Sequence, residues 1–205
     1  MAARAAARRF GRAFCMKGSA IALSEYLDVV DGRGHPTGEI VERARAHAEG
    51  IRHRTSHLWL ARRRGAEIQL LLQKRSANKE AFPSCYDVSS AGHIPAGEDY
   101  ETSALRELRE ELGVSAARGE LIHCGDRNVV WDGEFGGRPF HDRQHSRVFM
   151  MWKDLDEGAF RVDGIEVDSV RWMDFAQCVR GVQNDSFRHC IAMEELQLLA
   201  RALGL

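Results

Sequence analysis

The stretch that most constrains the fold is residues 92–114, a loop marked by glycines that leads into a short, highly charged helix. Glu107, Glu110 and Glu111 point to one side of such a helix, because residues at i, i+3 and i+4 are neighbours on its surface. The opposite, apolar side is formed by Leu105, Leu108 and Leu112. Like charges at this spacing cost roughly 0.2–0.5 kcal/mol per pair, which favours a bound cation. Oxygen ligands suit a hard divalent ion, so the pattern predicts Mg²⁺ or Mn²⁺.

An acidic helix face can also be simply solvated, and the longer pattern decides against that alternative. From Gly92, five residues lead to Glu98 and seven more lead to Arg106, where the sequence continues R-E-L-R-E-E-L-G-V. This stretch resembles the Nudix box, G-x5-E-x7-R-E-U-x-E-E-x-G-U with U aliphatic, at every fixed position. The resemblance implies an α+β Nudix fold: an α/β/α sandwich with a mixed β-sheet and a loop-helix-loop catalytic motif. It also implies hydrolysis of a phosphoanhydride bond in a nucleoside diphosphate-linked or other organic diphosphate.

The resemblance also implies roles for the charged residues of the box. The implied ligands of Mg²⁺, or alternatively Mn²⁺, are Glu107, Glu110, Glu111 and the backbone carbonyl near Gly92. Metal held there would bridge the phosphates and lower the pKa of the attacking water. Glu107 is in addition a candidate general base, and Arg106 and Glu98 would orient it.

A second candidate for the general base lies outside the box. Related hydrolases often carry a carboxylate near the position of Gln144, and an amide cannot accept a proton in the same way. Asp142, Glu134 and Glu166 are the carboxylates that could replace it. A structural ion pair is the other interpretation of Glu166. The assignment of the general base is therefore open between Glu107 and Glu166.

A looser resemblance, covering most of residues 25–172, points to one branch of the superfamily. The segment after residue 72 resembles type I isopentenyl diphosphate isomerase, whose Q-x-R-x3-K pattern matches Gln73, Arg75 and Lys79. The resemblance implies that Arg75 and Lys79 bind the substrate diphosphate. His53 and His93 likewise match histidines that ligate the isomerase metal.

Three departures from the isomerase disfavour isomerisation. Residues 88–91, directly before Gly92, contain no cysteine, whereas the isomerase has its catalytic cysteine there, and Cys85 lies too far upstream to replace it. The first metal-binding histidine of the isomerase falls on Ala46, with His47 only adjacent. Residues 142–145 lack the two glutamates of its E-x-E motif. We therefore expect a hydrolase, with an isomerase-like enzyme and a non-catalytic diphosphate-binding module as alternatives.

Composition limits the remaining function classes. A formal charge of −1 over 205 residues offers no footprint for nucleic-acid binding, so the expected partner is a small-molecule diphosphate. The sequence contains no apolar run long enough for a membrane span. It does not determine the oligomeric state, and a homodimer is one possibility. The 5 cysteines are odd in number and form no C-x-x-C pair, which is typical of reduced thiols in a protein that is not secreted.

The chain divides into a leader, residues 1–24, and one domain, residues 25–205. The leader carries Arg and Lys but no acidic residue, in an alanine-rich background. This pattern is typical of an organellar transit peptide, and a frayed leader is the alternative. The expected location is accordingly cytoplasmic, mitochondrial or plastid.

The periodicity of the domain predicts its main elements. Hairpins are expected over residues 25–38 and 54–73, and a last strand over 166–173. Helices are expected over 39–49 and 187–202, with Asp185 or Ser186 as the N-cap of the second. Strands over 120–130 and 147–153 would be joined by a long polar connection, residues 132–145. We expect the contacts with the group beyond the diphosphate in this region, from Trp131, Phe135 and Phe140.

Overall fold

The computed structural model of the protein describes residues 25–162 and 164–205, and a mixed sheet is its central element. Its strands are β1 (Tyr26–Val30), β2 (Pro36–Glu42), β3 (His53–Arg64), β4 (Glu67–Arg75), β5 (Tyr86–Asp87), β6 (Ser90–His93), β7 (Ile122–Phe135), β8 (Arg138–Trp152) and β9 (Val167–Asp174). The main sheet has the order β5-β4-β3-β8-β7, with β6 paired to β3 and β9 paired to β4. β3 and β8 run parallel and the other pairs of this sheet are antiparallel.

Helices cover both faces of this sheet. The α-helices of the described residues are α1 (Arg43–Glu49), α2 (Tyr100–Leu112), α3 (Phe175–Gln183) and α4 (Met193–Leu203). One buried cluster joins the sheet to α2, and a second joins the opposite face to α3 and α4. A mixed sheet between two helical layers confirms the expected α+β sandwich.

β3 divides the core because successive strand side chains point to opposite faces. Leu58 and Leu60 pack with Leu108 of α2. Trp59 packs in the other cluster with Leu196 of α4. Each large apolar side chain that is fully buried in this way contributes roughly 1.5–3 kcal/mol. The run from His53 to Ala61 is therefore nearly continuous in buried residues, as expected of a strand that is covered on both sides.

The first elements confirm the predicted hairpin and correct the predicted helix. β1 and β2 form a separate two-stranded sheet, with Asp31 accepting hydrogen bonds from the backbone of Arg33 and His35 in the turn. Residues 39–42 belong to β2, so the helix begins only at Arg43. It ends at Gly50, whose left-handed backbone (φ 67°) turns the chain toward β3.

The predicted long connection over residues 132–145 is wrong. β7 and β8 pair from Ile122↔Met150 to Phe135↔Arg138, and the turn between them is Gly136-Gly137. Both turn glycines have positive φ, as tight hairpin turns require. The sequence of this region resembles that of a loop because the arm extends beyond the core, so many of its side chains are polar. Gly133, which lies inside β7, also made a loop prediction more natural.

The predicted start of the C-terminal helix is also wrong, because α4 begins at Met193 and its N-cap residue is Ala192. The preceding segment uses its backbone groups to pair with β5. Tyr86 N donates to Arg188 O at 2.9 Å, and Cys190 N donates to Tyr86 O at 2.9 Å. Residues bonded in this way cannot also make helical hydrogen bonds.

Two further expectations concern the leader and membrane-spanning segments. The expected leader, residues 1–24, lies outside the described residues. Among the residues that are described, no helix has both the length and the apolar character needed to cross a membrane.

Candidate active site

The charged helix of residues 92–114 is α2, and local signals fix both of its ends. Asp99 is its N-cap and accepts a hydrogen bond from Thr102 N at 2.7 Å. Gly113 ends it in the left-handed conformation, with φ 69°. Such caps stabilise a helix by about 1 kcal/mol each. Leu108 and Leu112 are fully buried beneath the sheet, so the carboxylate side of α2 is held in a fixed orientation.

β6 brings Gly92 directly against Glu107. A Cβ atom on Gly92 would lie 2.3 Å from both Cδ and Oε1 of Glu107, which is closer than real atoms approach. Gly92 in turn pairs with Ser56 of β3. The absent side chain therefore creates a cradle for the Glu107 carboxylate, and the first glycine of the box pattern meets the glutamate of its R-E-U segment there.

Arg106 gathers three of the box carboxylates. Its Nη1 donates to Glu107 Oε1 at 2.8 Å and to Glu110 Oε2 at 3.1 Å. Its Nη2 lies 3.5 Å from Glu98 Oε2, and Ser103 Oγ donates to the same Glu98 oxygen at 2.6 Å. A guanidinium with several donors in one plane holds carboxylates in a defined arrangement. Glu98 thus reaches the site from the loop before α2, and Arg106 links it to Glu107.

Glu111 is buried and Glu107 is half-buried, and both carboxylates have raised pKa values. Burial raises the pKa of Glu107 to about 7, with Arg106 opposing the shift. Burial raises the pKa of Glu111 to about 8, although the backbone N–H of Ala91 donates a hydrogen bond to it at 3.2 Å. Glu110 is the exposed member of the set, at 52%. A cation among these oxygens would offset their desolvation and mutual repulsion, so the donor set fits a hard divalent ion.

The predicted diphosphate-binding residues lie close to this cluster and are ion-paired. Lys79 Nζ lies 2.6 Å from Glu166 Oε2. Arg75 Nη1 donates to Asp87 at 2.9 Å, and two other guanidinium nitrogens donate to the carbonyl of Ala81. The charge of Glu166 raises the pKa of both Glu107 and Glu111, and Glu111 interacts with Arg75. The fold thus brings the remote carboxylate and the two cations to the box helix.

A group of three histidines lies beside β6. Ligand nitrogens of His47, His53 and His93 all lie within 4.8 Å of one another, and Nε2 of His47 is 3.1 Å from Nε2 of His93. His53 Nδ1 bonds the carbonyl of Ile51 at 2.9 Å, while its buried Nε2 has no hydrogen-bond partner. Burial lowers the pKa of His47 to about 3 and of His53 to about 4. Neutral imidazole rings are the form in which histidine binds a transition metal.

This group corrects the expectation that Ala46 leaves the first histidine position empty. His47, one residue later, takes the place, because the last turn of α1 and the left-handed Gly50 set which side chain faces β3. Ala46 points instead into the small core with Leu27 and Val41. Counting residues across a helix and a turn cannot find such a shift, whereas the periodicity of α1 could have suggested it.

Asp142 completes the surroundings of the histidines. Its Oδ1 lies 3.7 Å from His47 Nδ1, and its Oδ2 accepts a hydrogen bond from Gln144 Nε2 at 3.0 Å. Burial raises the pKa of Asp142 to about 6. The parallel pairing of His53 with Gln144 brings this part of β8 to the site. A carboxylate behind a metal-binding histidine typically fixes the orientation of the ring.

We expect the three histidines to bind Zn²⁺ or a similar transition metal in a one-to-one complex. The double substitution His53→Ala and His93→Ala should weaken binding more than about 100-fold, since even outer-shell partners typically account for 10–100-fold. Competition with a chromogenic chelator measures this directly. His35→Ala is the matched control, since its side chain is 72% exposed and lies outside the group. Equal affinities in the double variant and the control would exclude a metal site here.

A buried ion pair anchors α4 to β3 on the histidine side of the sheet. Glu195 is 1% exposed and accepts hydrogen bonds from Arg127 at 2.7 Å and Trp59 at 3.0 Å. Its Oε1 is also 2.8 Å from Nδ1 of His57. Removing one member of such a network leaves an uncompensated buried charge, at a cost of roughly 3–5 kcal/mol. Sequence reasoning missed this network, because its members are distant in the chain.

This pair should make stability depend on pH from both sides. Burial alone would raise the pKa of Glu195, but His57 and Arg127 lower it from 4.5 to about 2. Burial alone would lower the pKa of His57, but Glu195 raises it above 6.5. The glutamate contribution is thus lost as pH falls from about 4.5 toward 2, and the histidine contribution as pH rises through the elevated pKa. The pair stabilises most in the window between about 4.5 and 6.5.

Glu195→Gln is expected to lower the free energy of unfolding by roughly 3–5 kcal/mol at about pH 6. It should also remove part of the acid-side pH dependence, measured by urea unfolding over a pH series. Glu194→Gln is the matched control, because this neighbouring side chain is 70% exposed. The assignment fails if both variants lose the same stability.

Comparisons with known proteins extend these observations. The NUDIX domain model matches residues 51–191. An uncharacterised Nudix hydrolase of Clostridium acetobutylicum is 43% identical over 101 residues, which are 49% of this chain and 48% of that protein. Nudix hydrolase 3 of Arabidopsis thaliana is 33% identical over 156 residues, 75% of this chain and 20% of that protein. The chain thus spans about half, or less, of the length of these two relatives.

The isomerase branch and solved structures match over more of their length. Isopentenyl-diphosphate Delta-isomerase of Escherichia coli is 28% identical over 159 residues, 78% of this chain and 82% of that protein. A Deinococcus radiodurans structure aligns with a TM-score of 0.60 at 20% identity, covering 85% of this chain and 97% of that one. A Shewanella oneidensis NUDIX domain complexed with ADP ribose has a TM-score of 0.53 at 16% identity, covering 80% and 98%. The family match includes the box, β3 and the strand pairing around them, and the chain therefore belongs to the NUDIX family.

Proposed function

We propose that the protein is a divalent-metal-dependent hydrolase that cleaves the phosphoanhydride bond of an organic diphosphate. The observation that carries the proposal is the Glu107 carboxylate in the Gly92 cradle, with Glu110 and Glu111 beside it and Arg106 across it. Buried carboxylates without a cation are costly, and the cluster suits Mg²⁺ or Mn²⁺. The backbone carbonyl near Gly92 would add a further oxygen ligand.

The bound metal would supply charge neutralisation and an activated water. The chain supplies positioning and proton transfer. Lys79 and Arg75 would exchange their present partners, Glu166 and Asp87, for phosphate oxygens. That exchange would release Glu166 from Lys79, and its carboxylate would accept a proton from water close to Glu107. Phosphoryl transfer needs little covalent chemistry from a protein, so these electrostatic roles suffice.

A second candidate function is isomerisation of an unsaturated diphosphate, and the three-histidine group favours it. The similarity to Escherichia coli isopentenyl-diphosphate Delta-isomerase points the same way. Ala91, however, stands where the isomerase resemblance requires a cysteine, and it carries no group that can transfer a proton. Hydrolysis remains the better-supported reaction.

Product analysis distinguishes the candidates. Purified protein would be incubated in Mg²⁺ or Mn²⁺ with alkyl, sugar and nucleoside diphosphates, including ADP ribose because of the Shewanella domain complexed with it. Hydrolysis in ¹⁸O-labelled water would release phosphorus-containing products that carry the label. Isomerisation would instead exchange a carbon-bound proton with solvent and release no phosphate. Tight binding without either product would favour a binding module.

A further inference from the structure

Four aromatic side chains form one cluster beside the three histidines, and we call them the ring cluster. They are Phe82, Trp131, Phe135 and Phe140. Trp131 and Phe135 are stacked, with ring centroids 5.2 Å apart, and Phe82 contacts both at 5.4 and 5.5 Å. The β7–β8 arm carries three of the rings, and the fourth comes from the loop between β4 and β5. The cluster therefore joins two segments that are distant in the chain.

The ring cluster contacts the histidine group at one end and the loop that carries Lys79 at the other. Phe140 stacks on His47 with ring centroids 4.2 Å apart. At the other side, Phe82 follows Ala81, whose carbonyl accepts hydrogen bonds from Arg75 at 3.2 and 3.0 Å. Lys79 lies in the same loop. A diphosphate held by Arg75 and Lys79 would thus carry its remaining group next to these rings.

Two backbone features show that the rings are held in place at a cost. A Cβ atom on Gly133 would lie 2.1 Å from the Trp131 ring, so the indole can lie across the strand only because that residue is glycine. Phe82 has a left-handed backbone with φ 50°, which is an unusual conformation for a bulky residue. Its side chain is also 36% exposed, so the free energy gained by burying it offsets little of this strain. Strain at an exposed aromatic residue points to binding.

The polar groups around the rings are engaged with one another. Asp132 accepts hydrogen bonds from Arg143 at 2.7 and 2.9 Å, and His141 lies 2.7 Å from it. Arg138 of β8 lies 3.7 Å from Glu80 of the loop between β4 and β5. Asp132 and His141 alternate with Trp131 and Phe140 along the two strands and therefore lie on the other face of the arm. On the ring face, Asp142 lies opposite Trp131 and accepts a hydrogen bond from Gln144 at 3.0 Å. The ring surface accordingly offers mainly carbon and π faces. Such a surface suits hydrocarbon better than the polar edges of a base or sugar.

We propose that the ring cluster is a specificity subsite that selects diphosphates with an apolar, hydrocarbon group, an inference that rests on the proposed diphosphate site. Phe82, Trp131, Phe135 and Phe140 would cover this group while Arg75 and Lys79 hold the phosphates. Each methylene that is fully buried against the rings is worth roughly a factor of four in binding. Lengthening the group from methyl to hexyl should therefore raise kcat/KM at least about 30-fold.

Phe82→Asn is the decisive variant. Asparagine tolerates a left-handed backbone, so the protein should fold with an unchanged or higher melting temperature while one ring is lost. The hexyl-over-methyl preference in kcat/KM should fall about tenfold, through the hexyl compound alone. Trp131→Ala should act in the same way. Trp152→Ala is the control, because this equally exposed tryptophan lies at the far end of β8, beside Arg63.

A binding measurement separates this proposal from that of hydrolysis. Calorimetry in Mg²⁺ would compare methyl and hexyl esters of methylenebisphosphonate, which cannot be hydrolysed at the central bond. A hexyl preference that is lost in Phe82→Asn supports the subsite even if no diphosphate is turned over, in which case hydrolysis alone fails. Equal affinities for the two esters would overturn the subsite, as would a stronger effect of Phe82→Asn on ADP ribose than on the hexyl compounds.

Discussion

Glu107→Gln is expected to lower kcat/KM by roughly 10³-fold, because one change removes both a candidate metal ligand and a candidate general base. The amide keeps the size of the side chain, so the fold should be preserved. Glu107 lies against Gly92 and its side chain is only 16% exposed, so water cannot easily replace the missing carboxylate. Initial rates in saturating Mg²⁺, on whichever diphosphate the product analysis identifies, measure the loss.

Glu101→Gln is the matched control for this variant. Glu101 lies in the first turn of the same helix, away from the cluster around Arg106. Its substitution should change kcat/KM less than about twofold, since isolated surface charges typically contribute little. If Glu107→Gln kept more than a tenth of the activity, the carboxylate cradle would not be the catalytic centre.

Gly92→Ala should have the second-largest effect, although the alanine itself carries no chemistry. The added methyl would meet the Glu107 carboxylate at 2.3 Å, so either the glutamate or β6 has to move. A displacement of about 1 Å at a reacting group can cost roughly 10²-fold in rate. We expect a fall in kcat of that size, together with weaker Mg²⁺ activation, measured by titrating the metal at a fixed substrate concentration.

Gly119→Ala controls for the general effect of replacing a glycine. A Cβ atom at Gly119 meets nothing within 4 Å, and its φ is not in the left-handed range. This variant should keep full activity and an unchanged melting temperature. A Gly92→Ala protein that matched it in both respects would show that the cradle tolerates a side chain and plays no part in catalysis.

Much of the charged helix could be predicted from the sequence because its signals are local. The N-cap Asp99, the C-terminal Gly113 and the spacing of Leu108 and Leu112 lie within a few turns of one another. The hairpin of β3 and β4 was equally clear, since a short turn with glycine separates two apolar runs. For such elements the pattern of neighbouring residues and the final structure depend on the same contacts.

The β7–β8 arm was not predicted, because a strand that leaves the core loses the alternation that marks strands in sequence. Its pairing runs between residues up to 28 positions apart, such as Ile122 and Met150. The ring cluster follows from that pairing, with Phe82 added from another loop. The start of α4 was wrong for a related reason, since β5 takes up the preceding backbone.

The sequence by itself determined the carboxylate helix and the family, because these depend on residue spacing within one short segment. Only the tertiary structure decided what surrounds that helix. His47 joins His53 and His93 because α1 turns it toward β3. Glu166, paired with Lys79, lies near enough to Glu107 to raise its pKa because β9 pairs with β4. Contacts of this kind depend on which distant strands pair with each other, and the spacing of residues within one segment does not determine that pairing.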